Sequence, residues 1–322
     1  MMALMKLADR WPELPYVAWK ETAATLQLWT QIVGKVRLAL TPWLNHSWHV
    51  ALYVTAGGLT TSAMPAGART LQIDFDFIDH LLWLRTSDGH SRQILLKPTS
   101  LAEFYEEVML ALSALGIAVR IRTMPCEIAD CMPFDEDIAH AAYDAEYAQR
   151  FWRVLASTHE VFAHFRTAFL GKSSPVLFFW GSFDLAVTRF SGRRAPRHPG
   201  GVPHLPNSVA REAYSHECSS AGFWPGGGAI DYPAFYSYAY PAPEGFKDAL
   251  VTPGAAFFSP ELGEFIYPYN AMRIARDPDA ALMEFLQNTY AAAADLAKWD
   301  RKALECALGE KGKVRAIAAG GA

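Results

Sequence analysis

A chain of 322 residues with 51% hydrophobic and 19% charged content has material for one large buried core or two smaller ones, with disorder expected only at the ends. Its formal net charge of -4 and pI near 6.2 provide neither a basic field for nucleic acid nor a polybasic membrane anchor. Small-molecule or protein partners are the classes left. Cys126, Cys131, Cys218 and Cys306 are too few and too irregular for a disulfide framework or a structural zinc site, and read as reduced thiols of a cytoplasmic protein. Residues 1–10 lack the apolar core of a signal peptide, and no later apolar run approaches the roughly 20 residues of a membrane-spanning helix.

In chain order, Leu26, Trp29, Val33, Val36 and Leu40 recur at steps of three and four and predict a helix over residues 17–40 that covers a sheet. Alternation of Trp48, Val50, Leu52 and Val54 predicts a strand over 47–55, which Ala56-Gly57-Gly58 turns into a second over 58–61. Strands follow over 71–77, 80–85 and 93–97, with a hairpin at Asp88-Gly89. Ser100 and Glu103 have capping-box spacing ahead of a helix over 101–115. A strand over 117–121 and a loop over 123–137 close this half.

The second half opens on a helical stripe of large residues, Tyr147, Phe151, Val154, Leu155, Thr158, Phe162, Phe165 and Phe169. An apolar run over 176–188 reads as strand, residues 192–206 as an exposed loop rich in proline, glycine and arginine, and 212–220, 235–240, 256–258 and 265–267 as further strands. Asp277-Pro278 starts the closing helix over 280–299. Each half therefore runs from a long helix through antiparallel strands to an amphipathic helix. The fold class expected is α+β, two pseudo-repeated halves over 1–124 and 145–305 joined by a loop over 125–144, with 306–322 as a disordered tail. Two such halves can meet as one continuous sheet, and their junction is a natural ligand cleft.

Candidate chemistry lies where polar residues interrupt apolar strands, because an unpaired polar group there costs a few kcal/mol. Strand alternation puts Trp180, Ser182 and Asp184 on one face, while a hairpin turn with Ser182 and Asp184 as turn formers is the competing reading. Alternation over 212–217 gathers Glu212, Tyr214 and His216, with His216 the natural base and Glu217 beside it; a hydrogen-bonded network at the core edge is the alternative. His46 and His49 fall on opposite faces of a strand, which argues against a shared metal, and His49, His216 and Asp184 or Glu217 form no compact metal motif. No metal is assigned. Arg189 and Arg193 open a basic stretch suited to a carboxylate or phosphate, or simply a solvated loop. Gly226-Gly227-Gly228 matches no phosphate-binding fingerprint and reads as a flexible turn.

Several segments together resemble a known family. Trp11-Pro12-Glu13-Leu14-Pro15, Asn45-His46-Ser47-Trp48-His49, the run from Phe178 to Arg193, Tyr214-Ser215-His216-Glu217 and Gly222-Phe223-Trp224-Pro225-Gly226 are similar to those of a bacterial family catalogued as domain of unknown function 5996. The resemblance covers nearly the whole chain and implies a type of protein without implying a reaction, a cofactor or a catalytic residue. From the residues themselves, the leading expectation is a cleft that binds or converts a small molecule, an anionic one included. His216, Asp184 and Glu217 would do the chemistry, with His49, Tyr53, Trp180, Ser182, Arg189, Arg193, Trp224 and Tyr236 around the ligand. The alternative is a non-catalytic interaction module that presents Tyr232, Tyr236 and Tyr238 to a protein partner. Whether the protein is an enzyme, and its cofactor and oligomeric state, are left open by the sequence.

Overall fold

Helix α1 (Tyr16–Leu40) is buried along most of its length in the computed structural model, which describes residues 10–315; the expectations for residues 1–9 and 316–322 lie outside the described residues. Its apolar stripe is Trp19, Leu26, Trp29, Val33 and Val36, as the periodicity predicts. The polar face is buried too, which the stripe alone does not predict. Gln31, Lys35 and Arg37 are each nearly inaccessible and each donates to backbone carbonyls of other segments. Buried polar groups need such partners, so α1 is a central post on which loops are hung.

Mid-helix Gly34 has a packing reason: a Cβ there would overlap the indole of Trp180. That indole is itself held, because its Nε1 donates to the carbonyl of Val50 over 2.8 Å. Gly to Ala in a helix interior ordinarily gains up to about 1 kcal/mol. Gly34→Ala is expected to reverse that sign and cost about 1–3 kcal/mol through overpacking. Urea unfolding measures it, and a stabilised variant would show that the indole has room to move.

The first half continues through a short 3-10 turn (Asn45–Ser47), β1 (Tyr53–Val54), β2 (Gly58–Thr60), β3 (Met64–Ala66), β4 (Arg69–Asp76), β5 (Leu81–Thr86), β6 (Ser91–Leu95) and α2 (Leu101–Ala114). The antiparallel order is β1-β2-β4-β5-β6, with β3 also pairing β4. Leu71, Ile73, Phe75, Leu82, Leu84 and Ile94 face the core, whereas Gln72, Asp74, Trp83 and Arg85 make a polar outer face on which Arg85 reaches Asp74 at 2.9 Å. Ser100 and Glu103 complete the expected capping box of α2.

The second half comprises α3 (Ala145–Arg166), β7 (Leu177–Phe179), β8 (Asp184–Arg194), α4 (Asn207–Ala213), β9 (His216–Trp224), β10 (Ala234–Tyr240), β11 (Phe257–Ser259), β12 (Glu264–Pro268), α5 (Tyr269–Arg273), α6 (Pro278–Leu296) and α7 (Arg301–Leu304). Its antiparallel order is β11-β12-β10-β9-β8-β7. Asp277 caps α6 by accepting from the Ala280 N–H, with Pro278 in the first turn. Helices α3 and α6 pack on one face of this sheet.

The two sheets meet at their first strands. Leu52 and Phe178 exchange both backbone hydrogen bonds at 2.9 Å, so β1 and β7 lie edge to edge and antiparallel. First strand against first strand is what two repeated α+β halves related by a local twofold give, and one hydrophobic cluster runs from Trp11 to Trp299 through both. Among the described residues no helix is long and apolar enough to cross a membrane.

Several local expectations are corrected. The strand over 47–55 survives only as β1, because His46 and Ser47 adopt left-handed backbone (φ 59 and 58) and turn the chain. Residues 117–121 form no strand: they find no backbone partner at the sheet edge. The run over 176–188 is a hairpin, turned at residues 180–183 with Phe183 at φ 60. The basic loop starts later, since β8 extends to Arg194. Residues 207–213 coil into α4 behind Pro206, so the alternation assumed over 212–217 does not exist there. Of the expected tail, residues 306–315 lie against the end of α3, where the Gly309 N–H donates to Thr167 Oγ1 at 2.8 Å.

Candidate functional site

Strand alternation gives the second sheet two different faces. In β8, Leu185, Val187 and Arg189 point toward α3 and α6, while Asp184, Ala186, Thr188 and Phe190 point to the opposite side. That side is the wall of a cavity of about 1490 Å³, closed over by α1, the 120–132 segment, α4 and the 202–206 segment.

The register builds a carboxyl site at one end of this wall. Ala186 lies opposite Gly222, and Gly222 opposite Tyr236. A Cβ on Gly222 would overlap the Tyr236 ring, so two small residues in a row let that phenol reach across neighbouring strands. Its hydroxyl donates to one oxygen of Asp184, and Ser182 Oγ donates to the other. Asp184 is buried, 6% exposed, and burial pushes its carboxyl up despite these two donors.

A second carboxyl arrives from the loop between the halves. Gln31 donates to the Cys126 carbonyl and accepts from the Cys126 N–H, each at 2.9 Å. Lys35 donates to the carbonyls of Arg122, at 3.0 Å, and Met124, and Gln27 donates to the Gly181 carbonyl at 2.8 Å. Positions 27, 31 and 35 share one helical face, so three side chains of α1 pin this loop and the β7–β8 turn together. The next residue, Glu127, has left-handed backbone at φ 65 and donates its N–H to Pro203 at 2.8 Å. Such a conformation costs on the order of 1–3 kcal/mol in a residue with a side chain and gathers at functional sites. Gly181 makes room for it, since a Cβ there would overlap the Glu127 carboxyl.

Glu264, first residue of β12, supplies a third carboxyl on the same wall. Burial first, and then the charge of Asp184, raise both Glu127 and Glu264 to about 7. Tyr214 and Tyr238 complete the polar end with hydroxyls 2.8 Å apart, both held protonated by burial. Glu264 and the tyrosines are half-buried on the cavity lining, and Glu127 is exposed on it. Trp180 and Trp224 add aromatic surface to the lining. Carboxyl groups that titrate near neutrality in an enclosed site have the protonation balance general acid–base chemistry needs.

Five of the expected site residues line this cavity: Asp184, Trp180, Ser182, Trp224 and Tyr236. The other six are elsewhere. Arg189 is 1% exposed on the helix-covered face, its guanidinium 3.5 Å from the Phe165 ring centroid. Arg193 pairs with Glu217 at 2.6 Å beside the end of α6, which takes both out of the cavity. Tyr53 lies under the Arg37 guanidinium, 5.5 Å from it. His49 is buried, with Nδ1 accepting from the Leu44 N–H at 3.2 Å. His216 hydrogen-bonds Ser215 at 3.0 Å and has its ring 6.2 Å from that of His46. Asp184, Arg189, His216 and His49 therefore do not converge.

Sequence reasoning missed Glu127, Glu264, Tyr214 and Tyr238 as cavity residues, and also His46, which lines the cavity. Lys172 Nζ can only donate, so His46 Nε2 accepts from it at 2.7 Å and Nδ1–H donates to the Ala213 carbonyl at 2.7 Å. Burial lowers the His46 pKa, in keeping with this neutral tautomer. Tyr238 had a readable signal, alternating with Tyr236 in a strand; Glu127 had none.

Fold and cavity together define an α+β protein of two repeated halves with an acidic, aromatic-walled cavity between the second sheet and α1 of the first half. The chain belongs to the family of unknown function DUF5996, whose model matches residues 11–306, as the resemblance of its motifs implied. No curated protein and no solved structure matches it.

Proposed function

We propose that the protein binds a small organic molecule in this cavity and transfers a proton to or from it, with Asp184, Glu127 and Glu264 as the acid–base groups. The observation that carries the reading is the presence, on the lining of one cavity, of three carboxyl groups from separate segments, with Asp184 oriented by Ser182 and Tyr236. The role expected of His216 passes to these carboxyls. An anionic ligand is not favoured at the carboxyl end, because Arg189 and Arg193 lie outside the cavity and Lys35 is committed to loop carbonyls, although Arg120 and Arg122 line the cavity elsewhere. Tyr236 and Tyr238 face the cavity, which leaves the interaction-module alternative without two of its three aromatics. Free thiols at all four cysteines suit a cytoplasmic setting.

The test is a thermal-shift screen of chemically diverse metabolites against wild type and Asp184→Asn, an isosteric change that keeps one acceptor for Tyr236. Stabilising compounds are expected, because a ligand specific for the folded state raises the melting temperature. Turnover of a hit, where it occurs, should fall about 10²–10⁴-fold in the variant. Hits that bind and react equally well with both proteins would remove the carboxyl site from the mechanism.

A further inference from the structure

The three carboxyls lack any protein counterion. Among the described residues, no Lys, Arg or His pairs with Asp184, Glu127 or Glu264, although thirteen other ion pairs are formed. Nor, among the described residues, does any protein group donate a hydrogen bond to the Glu127 side chain, which is exposed on the cavity lining. Carboxyls gathered this way around a buried one, Asp184, are costly to ionise together, so the arrangement favours a proton or another cation that supplies the missing charge. Of the cations in the lining, Lys35 is committed to two loop carbonyls, and Arg120 and Arg122 form no ion pair with the three carboxyls among the described residues; Lys172, outside the lining, donates to the neutral His46 imidazole.

A metal ion is not what the donors fit, since among the described residues no three His, Cys, Asp or Glu side chains are arranged to hold one. The lining is instead mainly apolar, with Trp180, Trp224 and Tyr236 beside the carboxyls and Trp43 and Trp48 farther along. Aromatic faces and carboxylates together are the chemistry that recognises an organic ammonium group. Ser47, 9% exposed on the same lining, has a buried hydroxyl without a hydrogen-bond partner among the described residues.

Resting on the ligand-cavity reading above, we infer that the cavity takes an organic cation, its ammonium group seated among Asp184, Glu127 and Glu264 and its apolar body against the aromatic wall. Binding then displaces protons from the carboxyls. The titratable groups on the sheet side are Tyr236 and Tyr238 of β10, Cys218 of β9 and Tyr214 after α4, all held protonated by burial, while the enclosing segments add Lys35, Arg120, Arg122, Cys126, Cys131, Asp130, Asp137 and the imidazoles of His46, His140 and His204 to the lining. Glu127 and Glu264 titrate at about 7, and a site that must lose one such proton gains about tenfold in affinity between about pH 6 and about pH 8.

The experiment is isothermal titration of the full chain with matched triples of aromatic compounds that differ only in the end group: tryptamine, tryptophol and indole-3-acetate, and the corresponding naphthalene series. The amines are expected to bind about tenfold or more tighter than the alcohols, roughly the yield of one added charge-assisted contact, and the acids not at all. Amine binding should release protons in buffers of different ionisation enthalpy. Glu127→Gln and Asp184→Asn should each weaken the amines while sparing the alcohols, with Glu217→Gln, outside the cavity, as an unchanged control. Amines that bind no tighter than alcohols at both pH values overturn the cation assignment. If alcohols or acids bind and Asp184→Asn weakens them, the ligand-cavity reading stands without it; if nothing binds, both fall.

Discussion

Arg189→Ala is expected to lower the unfolding free energy by about 3–5 kcal/mol, the range for emptying a large buried site and breaking its polar contacts. The guanidinium lies 3.5 Å from the Phe165 ring centroid, 4.3 Å from that of Tyr290 and 5.1 Å from that of Phe169, so it is packed by cation–π contacts between α3 and α6. It also donates to the Phe165 carbonyl in the last turn of α3, which shares its second lone pair with the Ala168 N–H at 3.3 Å. A cation at that position further complements the negative end of the helix dipole. Burial lowers its pKa to about 10, still charged under any ordinary condition. Truncation would leave a cavity, a helix-end carbonyl stripped of its charged donor and three aromatics without their cation. Arg193→Ala, removing a half-exposed side chain, should cost no more than about 1 kcal/mol. Urea denaturation of both variants separates the cases. An Arg189→Ala protein as stable as wild type but unable to bind ligand would return this arginine to the anion-binding role that its sequence position suggested.

Glu264→Gln is expected to stabilise the protein at pH 8, by on the order of 2 kcal/mol after allowance for water in the cavity, and to leave it unchanged near pH 4. Glu264 titrates at about 7 in the folded protein against an ordinary 4.5, raised by burial and then by Asp184. The folded state therefore holds a proton that the unfolded chain gives up as pH climbs from about 4.5 to about 7. Stability is lost through that window, and the loss is complete above it. Replacing the carboxyl with an amide removes the cost only where the carboxyl would be ionised. Thermal melts of variant and wild type across the window give the difference curve directly, free of the other titrating groups. A difference that is flat with pH would mean that the cavity solvates the carboxylate as well as bulk water does. An organic cation should produce the same relief in wild type and little in the variant.

Much of the scaffold is legible in the sequence. The three-and-four spacing of Leu26, Trp29, Val33 and Val36 marks α1, Ser100 with Glu103 marks the start of α2, Asp277-Pro278 marks α6, and the repeated order of helix, strands and helix anticipates two joined halves. These signals are local: each reports how a segment divides its own residues between core and water. They fail where a neighbour overrides the pattern. The alternation over 47–55 is cut short by the left-handed turn at His46, and that over 212–217 by α4, so the group built on Glu212, Tyr214 and His216 never forms.

The sequence by itself determined the elements, their order and the polarity of single positions, because propensity and periodicity act over a few residues. Only the tertiary structure decided the site. Glu127, Asp184 and Glu264 are far apart in the chain and share no motif. They meet because β12 pairs with β10 rather than following β11 at the sheet edge, because Gly222 and Ala186 let Tyr236 cross to Asp184, and because Gln31 and Lys35 pin a loop against α1. The same tertiary packing turned Arg189 inward and paired Arg193 with Glu217. Shifted carboxyl pKa values follow from that enclosure and mutual charge, which are properties of three-dimensional proximity that no one-dimensional spacing encodes.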